Sequence, residues 1–307
     1  MRVFVTGASG FIGSAVVPEL IGAGHQVVGL ARSDASAEAL AAAGVEAHRG
    51  SLEDLDSLRA GAAAADGVIH LAFIHDFHDF SQYENAIRTD VRAIEALGTA
   101  LEGSGKPLVV ANGTVRAAGG RVATERDTPE PGSVTAHRAV SANAALSLAE
   151  RGVRASVLRL PPSVHGEGDQ AFVKILIDIA RAKGVSGYIG DGSNRWCAVH
   201  RRDAAHLFRL AVEKAPAGSV LHGMAEEGVP VRTIAEVIGR HLGLPVVSVP
   251  PEDAAGHFGW LGSILAIDVP TSSALTRELL GWQPTGPGLI ADLEEGHYFR
   301  IDEGVRG

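Results

Sequence analysis

Gly7, Gly10 and Gly13 stand three residues apart in Thr6-Gly7-Ala8-Ser9-Gly10-Phe11-Ile12-Gly13, between an apolar strand at Val3 to Val5 and an apolar helix that runs to Ala23. Glycines in that context suit the binding of a dinucleotide. Gly7 permits a tight strand-to-helix turn, Gly10 lets backbone approach a pyrophosphate, and Gly13 lets the helix lie on the strand. The free N–H groups and positive dipole end of the helix then face the phosphates, with Ser9, Phe11 and Ile12 completing the loop.

The next chemistry-bearing residues lie at Leu30-Ala31-Arg32-Ser33, the end of the second predicted strand. A site for NAD places a carboxylate there against the ribose hydroxyls, and here a cation stands instead. The Arg32 guanidinium can pair with a 2′-phosphate, helped by the Ser33 hydroxyl, which favours NADP (NADPH) over NAD. Asp34 is then free to cap the following helix.

The three-and-three spacing, Thr-Gly-x-x-Gly-x-x-Gly, resembles the extended or atypical short-chain dehydrogenase/reductase superfamily of the NAD-dependent epimerase/dehydratase type. His165-Gly166 after Arg159-Leu160-Pro161-Pro162, Val199-His200 with Asp203-Ala204-Ala205, and Leu280-Gly281-Trp282 with Pro284 resemble later segments of the same family. The resemblance implies that Ser51 and Leu52 border the adenine, that Leu71, Ala72 and Phe73 lie beside ribose and nicotinamide, and that Pro161, Pro162 and Ser163 border the nicotinamide. His200 and Asp203 read as partners of buried backbone groups.

Carbonyl reduction by hydride needs a donor to hold the carbonyl oxygen and an acid to protonate it. The resemblance implies a Ser or Thr after the fifth strand, and Thr114 in Ala111-Asn112-Gly113-Thr114-Val115 is that hydroxyl. It also implies a Tyr four residues before a Lys, but Arg138 and Ala142 stand at those positions, and no tyrosine occurs between Tyr83 and Tyr188. Arginine stays protonated and is no practical acid at neutral pH. Substitute acids are His75 and His78 in Phe73-Ile74-His75-Asp76-Phe77-His78-Asp79-Phe80, together with Tyr83 and His137; each has a packing role as the competing reading. His75, Asp76, His78 and Asp79 are also metal-ligand types, but no distant cysteine or glutamate-bearing His motif supports them, so no metal is expected. That loop is expected to shape an aromatic-lined substrate pocket, with Thr114, His165, Arg195 and Trp196 as further pocket residues.

Elements that position these groups follow from hydrophobic periodicity. Short apolar strands at Val3 to Val5, Gln26 to Ala31, Val45 to His48, Gly67 to Leu71, Pro107 to Ala111 and Val153 to Leu160 alternate with helices near Ala35 to Ala43, Glu53 to Ala65, Phe80 to Leu101 and Val134 to Arg151. This predicts an α/β fold, a Rossmann-type doubly wound parallel sheet with its crevice at the carboxyl ends of the strands. Residues 1–165 read as the dinucleotide-binding domain and 166–307 as a smaller α/β substrate-binding lobe, with the chain free to cross between them. In the lobe, helices are predicted at Phe172 to Lys183, Asp203 to Lys214, Val231 to Leu242 and Pro251 to Phe258, strands at Ser219 to His222 and Val246 to Val249, and a loop at Gly184 to Asn194. Asp302 to Gly307 reads as a loose tail.

Composition bounds the rest. With 307 residues the chain can bury a large core, and its net charge of −9 makes nucleic acid and anionic membrane surfaces poor partners. The single cysteine, Cys197, suits a reducing compartment and reads as a buried hydrophobe; no leader or spanning segment is apparent, so a cytoplasmic location is expected. A homodimer through the helices at Phe80 to Leu101 and Val134 to Arg151 is an expectation from the resemblance. The implied activity is an NADP(H)-dependent oxidoreductase acting on a carbonyl, a hydroxyl or a related group of a small metabolite. A noncatalytic NADP-binding sensor and an epimerase or dehydratase remain as alternatives.

Overall fold

Val3, Phe4, Val5 and Thr6 are all fully buried, as a central parallel strand covered by helices on both faces must be. The computed structural model describes residues 1–74, 80–129 and 136–300, and at 80–82 and 118 the backbone only. β1 (Arg2–Thr6) leads into α1 (Gly13–Gly22), then β2 (Gln26–Ala31), α2 (Asp34–Ala42), β3 (Glu46–Arg49), α3 (Leu55–Ala63), β4 (Gly67–His70), α4 (Phe80–Leu101), β5 (Pro107–Gly113), α5 (Ala139–Ser147) and β6 (Arg154–Leu160). There follow β7 (Ser163–His165), α6 (Phe172–Lys183), β8 (Ser186–Ile189), β9 (Arg195–His200), α7 (Arg201–Lys214), β10 (Ser219–His222), β11 (Glu226–Pro230), α8 (Val231–Leu242) and β12 (Val246–Val249). Four short helices close the chain: α9 (Ala254–Phe258), α10 (Leu261–Leu265), α11 (Ala274–Leu280) and α12 (Leu289–Glu294).

The main sheet has seven parallel strands in the order β10-β6-β5-β4-β1-β2-β3. β1 pairs with β2 on one side and β4 on the other, so the strand order reverses beside it and opens the ligand crevice of a doubly wound sheet there. Alternation along β1 divides the core: Val3 and Val5 join Leu20, Phe208 and Trp282 on one face, while Phe4 joins Leu58, Ile94 and Leu97 on the other. On the second face α4 packs beside α5. Gly98 on α4 faces Leu148, just beyond α5: a Cβ on it would lie 2.4 Å from both methyls of Leu148.

The lobe holds a three-stranded sheet, β11-β9-β7, a parallel pair, β12-β8, and a separate core containing Trp196, Ile234, Phe258 and Leu289. Several expectations are corrected. Ser219 to His222 is not a lobe strand: it pairs in parallel with β6 as the outer strand of the main sheet, a long-range pairing that local periodicity does not encode. The expected loop at Gly184 to Asn194 contains β8, whose glycine-rich sequence is held in the sheet by β12. The helix expected from Val134 begins, among the described residues, at Ala139 and ends at Ser147, followed by a 3-10 turn at Leu148–Arg151. Pro251 to Phe258 divides into a 3-10 turn at Pro251–Asp253 and α9. The tail from Asp302 lies outside the described residues. No helix among the described residues is long and apolar enough to cross a membrane.

Candidate functional site

The glycine turn is built by close backbone approach. Gly7 has φ +72°, and a Cβ on it would lie 2.9 Å from the Ala72 nitrogen; a Cβ on Gly13 would lie 2.1 Å from the Gly7 carbonyl oxygen. The Gly10 amide donates to the Gly7 carbonyl at 3.0 Å and the Ser14 amide to the Gly10 carbonyl at 2.8 Å. The amides of Phe11 and Ile12, at the entrance to α1, find no backbone acceptor among the described residues. Two donors at a helix N-terminus are thus left for an anion. Across the turn, the Leu71 and Ala72 amides donate to the Thr6 carbonyl and hydroxyl, both at 3.2 Å, which locks the end of β4 to the end of β1.

Arg32 follows β2 directly, is exposed, and makes no hydrogen bond or ion pair among the described residues. Ser33 is instead occupied as the N-cap of α2: its hydroxyl accepts the Ser36 amide at 3.2 Å while the Ser36 hydroxyl accepts the Ser33 amide at 3.0 Å. Capping therefore belongs to Ser33 and not to Asp34, which pairs with Arg49 at 2.6 Å. Ser51 and Leu52 are half-buried beyond β3, and the Ser51 hydroxyl accepts the Glu53 amide at 3.2 Å.

At the carboxyl ends of β4 and β5 a charged group lies where the resemblance places a tyrosine. Arg138 precedes α5, its guanidinium carbon is 3.8 Å from the centre of the Phe73 ring, and its Nη2 donates to the Ala111 carbonyl at 3.2 Å. Asn112 ties the same backbone down, donating to the Arg138 carbonyl at 3.0 Å and accepting the Gly113 amide at 2.8 Å. The counter-charge is Asp90 on α4, 3.6 Å from Nη2. Asp90 Oδ1 is 3.1 Å from His70 Nε2, and His70 Nδ1 is 2.7 Å from the Thr6 hydroxyl. Burial pushes the Asp90 carboxyl up, but the hydrogen bond and charge of His70 and the charge of Arg138 outweigh it and hold the group below its usual range. Burial lowers the Arg138 pKa, against the opposing pull of Asp90. Tyr83, half-buried on α4, meets the Phe73 ring at 6.1 Å and the exposed His137 ring at 6.1 Å. Its phenol is pushed up by burial, with Arg138 opposing.

Of the acids named from sequence, Tyr83 and His137 therefore come together, whereas His75 and His78, like Asp76 and Asp79, lie outside the described residues. Thr114 lies in the interior just beyond β5. The chain turns inward after β5, so Thr114 is 6% exposed; its hydroxyl is 3.1 Å from that of Thr271, and both hydroxyls lie against the buried Cys197 thiol. His165 and Trp196, expected at the pocket, are buried in the core of the structure. His165 is fully buried with Nδ1 2.9 Å from Asp292, and Trp196 fills the lobe core. Arg195, half-exposed, is held by Asp268 at 2.9 Å, bracing β9. Pro161 and Pro162 follow β6, and Ser163 is 2% exposed with a hydroxyl that has no partner among the described residues. His200 accepts the Arg202 amide, and the Asp203 carboxylate accepts the Thr285 and Gly286 amides at 2.9 Å.

Asp90 and His70 are the site residues that sequence reading missed. The available signals were a histidine ending an otherwise apolar strand and a carboxylate within the buried stripe of α4.

With this geometry in place, comparison with known proteins is informative. Residues 3–222 match the NAD dependent epimerase/dehydratase family. The chain is 52% identical over 301 residues to the uncharacterized protein C2A9.02 of Schizosaccharomyces pombe, covering 97% of this chain and 100% of that one. It is 30% identical over 261 residues to a 2-alkyl-3-oxoalkanoate reductase of Stenotrophomonas maltophilia, covering 80% and 77% of the two chains. The fold superposes on MoeE5 in complex with UDP-glucose and NAD with a TM-score of 0.77, at 25% identity over 96% of each chain. The sheet order, the glycine turn and these matches agree, and the chain belongs to the NAD dependent epimerase/dehydratase family.

Proposed function

We propose that this protein is an NADP(H)-dependent oxidoreductase that interconverts a carbonyl and an alcohol on a small carboxylate-bearing metabolite. The observation that carries the reading is Arg32, an exposed cation without a partner among the described residues, one residue beyond β2 and on the same sheet edge as the acceptor-free amides of Phe11 and Ile12. The residues fit a dinucleotide. Gly7, Gly10 and Gly13, with Ser9 exposed at the turn, leave backbone rather than side chains facing a pyrophosphate. Arg32 would hold the 2′-phosphate, Ser51 and Leu52 the adenine, and Leu71, Ala72 and Phe73 the ribose. Pro161, Pro162 and Ser163 would border the nicotinamide, and the buried Ser163 hydroxyl would gain a partner there.

When bound, the reduced nicotinamide supplies a hydride to an electrophilic carbon. The chain's own residues hold the substrate beside it, with the Phe73 and Tyr83 rings as aromatic walls and Arg138 as the charge at the carboxyl ends of β4 and β5. A 3-oxo carboxylic acid is the substrate class favoured by the name of the Stenotrophomonas reductase. Titration of NADPH and NADH, followed by a panel of 3-oxo and 3-hydroxy acids with NADPH absorbance as the signal, tests the reading. Tighter binding of NADPH and turnover of at least one 3-oxo acid are expected; equal affinity for the two cofactors, or no turnover across the panel, would overturn it.

A further inference from the structure

We propose that Tyr83 is the proton donor of this site and that Arg138, delivered from a different helix, is the cation that supports its phenolate. This deepens the oxidoreductase reading and rests on it. Tyr83 rides on α4 and Arg138 enters α5, yet both meet Phe73, the residue that follows the strand-end segment touching the glycine turn. The Tyr83 ring lies 6.1 Å from the Phe73 ring centre and the Arg138 guanidinium 3.8 Å from it, and the Arg138 charge opposes the upward push of burial on the Tyr83 phenol. A phenol and a fixed cation therefore share one aromatic platform at the carboxyl end of β4, the side of the sheet where a doubly wound fold binds its ligand.

The guanidinium is held there by a chain of contacts. Thr6 Oγ1 accepts the Ala72 amide and lies 2.7 Å from His70 Nδ1, and His70 Nε2 lies 3.1 Å from Asp90 Oδ1. Asp90 is left ionised and fixed, and Arg138 is the only cation it faces among its described neighbours besides His70. The charged or titratable groups described around Tyr83 are Arg138, Asp90 and His137.

The step balances without a further reagent. When bound, the reduced cofactor would supply the hydride that makes the substrate's carbonyl oxygen a developing alkoxide. A new O–H bond forms as the Tyr83 O–H bond breaks. The phenolate, beside Arg138, recovers its proton from water. Arg138 acts through Tyr83 and is a positioning residue; Tyr83 touches the reacting oxygen and is the catalytic one.

The test has an arm that needs neither substrate nor cofactor. Phenolate absorbance is titrated in the wild type and in Tyr83→Phe, and the difference isolates Tyr83 from Tyr188 and Tyr298. Arg138→Met should weaken Tyr83 ionisation by about tenfold or more, Asp90→Asn should strengthen it, and Arg138→Lys, which keeps a charge, should leave it within about threefold. A midpoint unmoved by Arg138→Met, in protein shown to be folded by circular dichroism, would overturn the pair. In the second arm Tyr83→Phe should lower kcat on the order of a hundredfold with NADPH affinity within about twofold. Full turnover by Tyr83→Phe would overturn the donor role, as would a wild type that binds NADPH and never oxidises it. A wild type that binds no NADPH would overturn the oxidoreductase reading itself.

Discussion

The Arg138 guanidinium lies over the Phe73 ring at 3.8 Å, with its side chain 14% exposed. A cation so far removed from water must be neutralised locally, and Asp90 at 3.6 Å does this. Asp90→Ala should therefore destabilise the fold by about 3–5 kcal/mol, because it strands a buried guanidinium. The double variant Asp90→Leu, Arg138→Met should recover most of that loss. Urea unfolding of the three proteins measures both; a double variant no more stable than Asp90→Ala would show that the pair is not the source of the loss.

Arg32 sets the cofactor. Replacing it with alanine should weaken NADPH binding by about 1–3 kcal/mol and leave NADH binding unchanged, since a charge-assisted pair is lost only where a 2′-phosphate is present. Fluorescence titration with both cofactors decides the matter; equal losses for the two would assign Arg32 to something other than the phosphate.

Gly13 is the least replaceable glycine of the turn, since the added methyl of Gly13→Ala would sit 2.1 Å from the Gly7 carbonyl oxygen. Relief requires the turn to open, at a cost of about 2 kcal/mol or more. NADPH affinity should fall at least about tenfold as the Phe11 and Ile12 amides are displaced. Calorimetric unfolding and cofactor titration of this one variant report both effects.

Thr114→Val should spare the chemistry. It removes a hydroxyl bonded to Thr271 in the interior, so a stability loss of about 1 kcal/mol is expected with kcat within about twofold of wild type. A large fall in kcat at unchanged melting temperature would return Thr114 to the reacting centre.

His222 should make the protein acid-sensitive. Its Nδ1 lies 2.8 Å from the Ser272 carbonyl and its Nε2 3.2 Å from the Arg159 guanidinium, so the neutral ring donates through one nitrogen and accepts through the other. Burial, which outweighs the opposing pull of the Ser272 carbonyl and Glu125, pushes the group down to about 4 from 6.5, and Arg159 adds to the lowering. A lowered histidine pKa means that the unfolded chain takes up the proton first. Stability is then full above pH 6.5 and falls as pH drops towards 4, by on the order of 3 kcal/mol in total. Urea midpoints of the wild type and His222→Gln across that window should converge as pH falls, because glutamine binds no proton; parallel curves would show that other groups govern the acid response.

The glycine turn and the parallel strands around it were legible because periodicity and turn chemistry are local. Long-range pairing was not, and so β10 was placed in the wrong sheet. The surroundings of Thr114 are hidden for a similar reason: a hydroxyl after a strand end is visible in sequence, but its contact with Thr271 comes from far along the chain. His165 and Trp196 seemed suited to a pocket by type, and the lobe core absorbs both. The Asp90 and His70 contact spans 20 residues between a helix and a strand, and neither residue carries a motif that would announce it. Arg138 was seen as a departure from the family's pattern, and only its surroundings give that departure a physical sense.

Because Tyr83 rides on α4 and Arg138 leads into α5, the separation of the proposed pair is a property of helix spacing and not of helix pitch. A pair carried four residues apart on one helix is as rigid as that helix. Gly98 on α4 meets Leu148 just beyond α5, where an added Cβ would press on the Leu148 methyls. Bulk introduced at Gly98 would act as a wedge and change the electrostatic coupling of two groups it never touches. For the proposed donor pair, this would open its spacing to adjustment from a remote, chemically inert position, a mechanical control that a single-helix arrangement lacks.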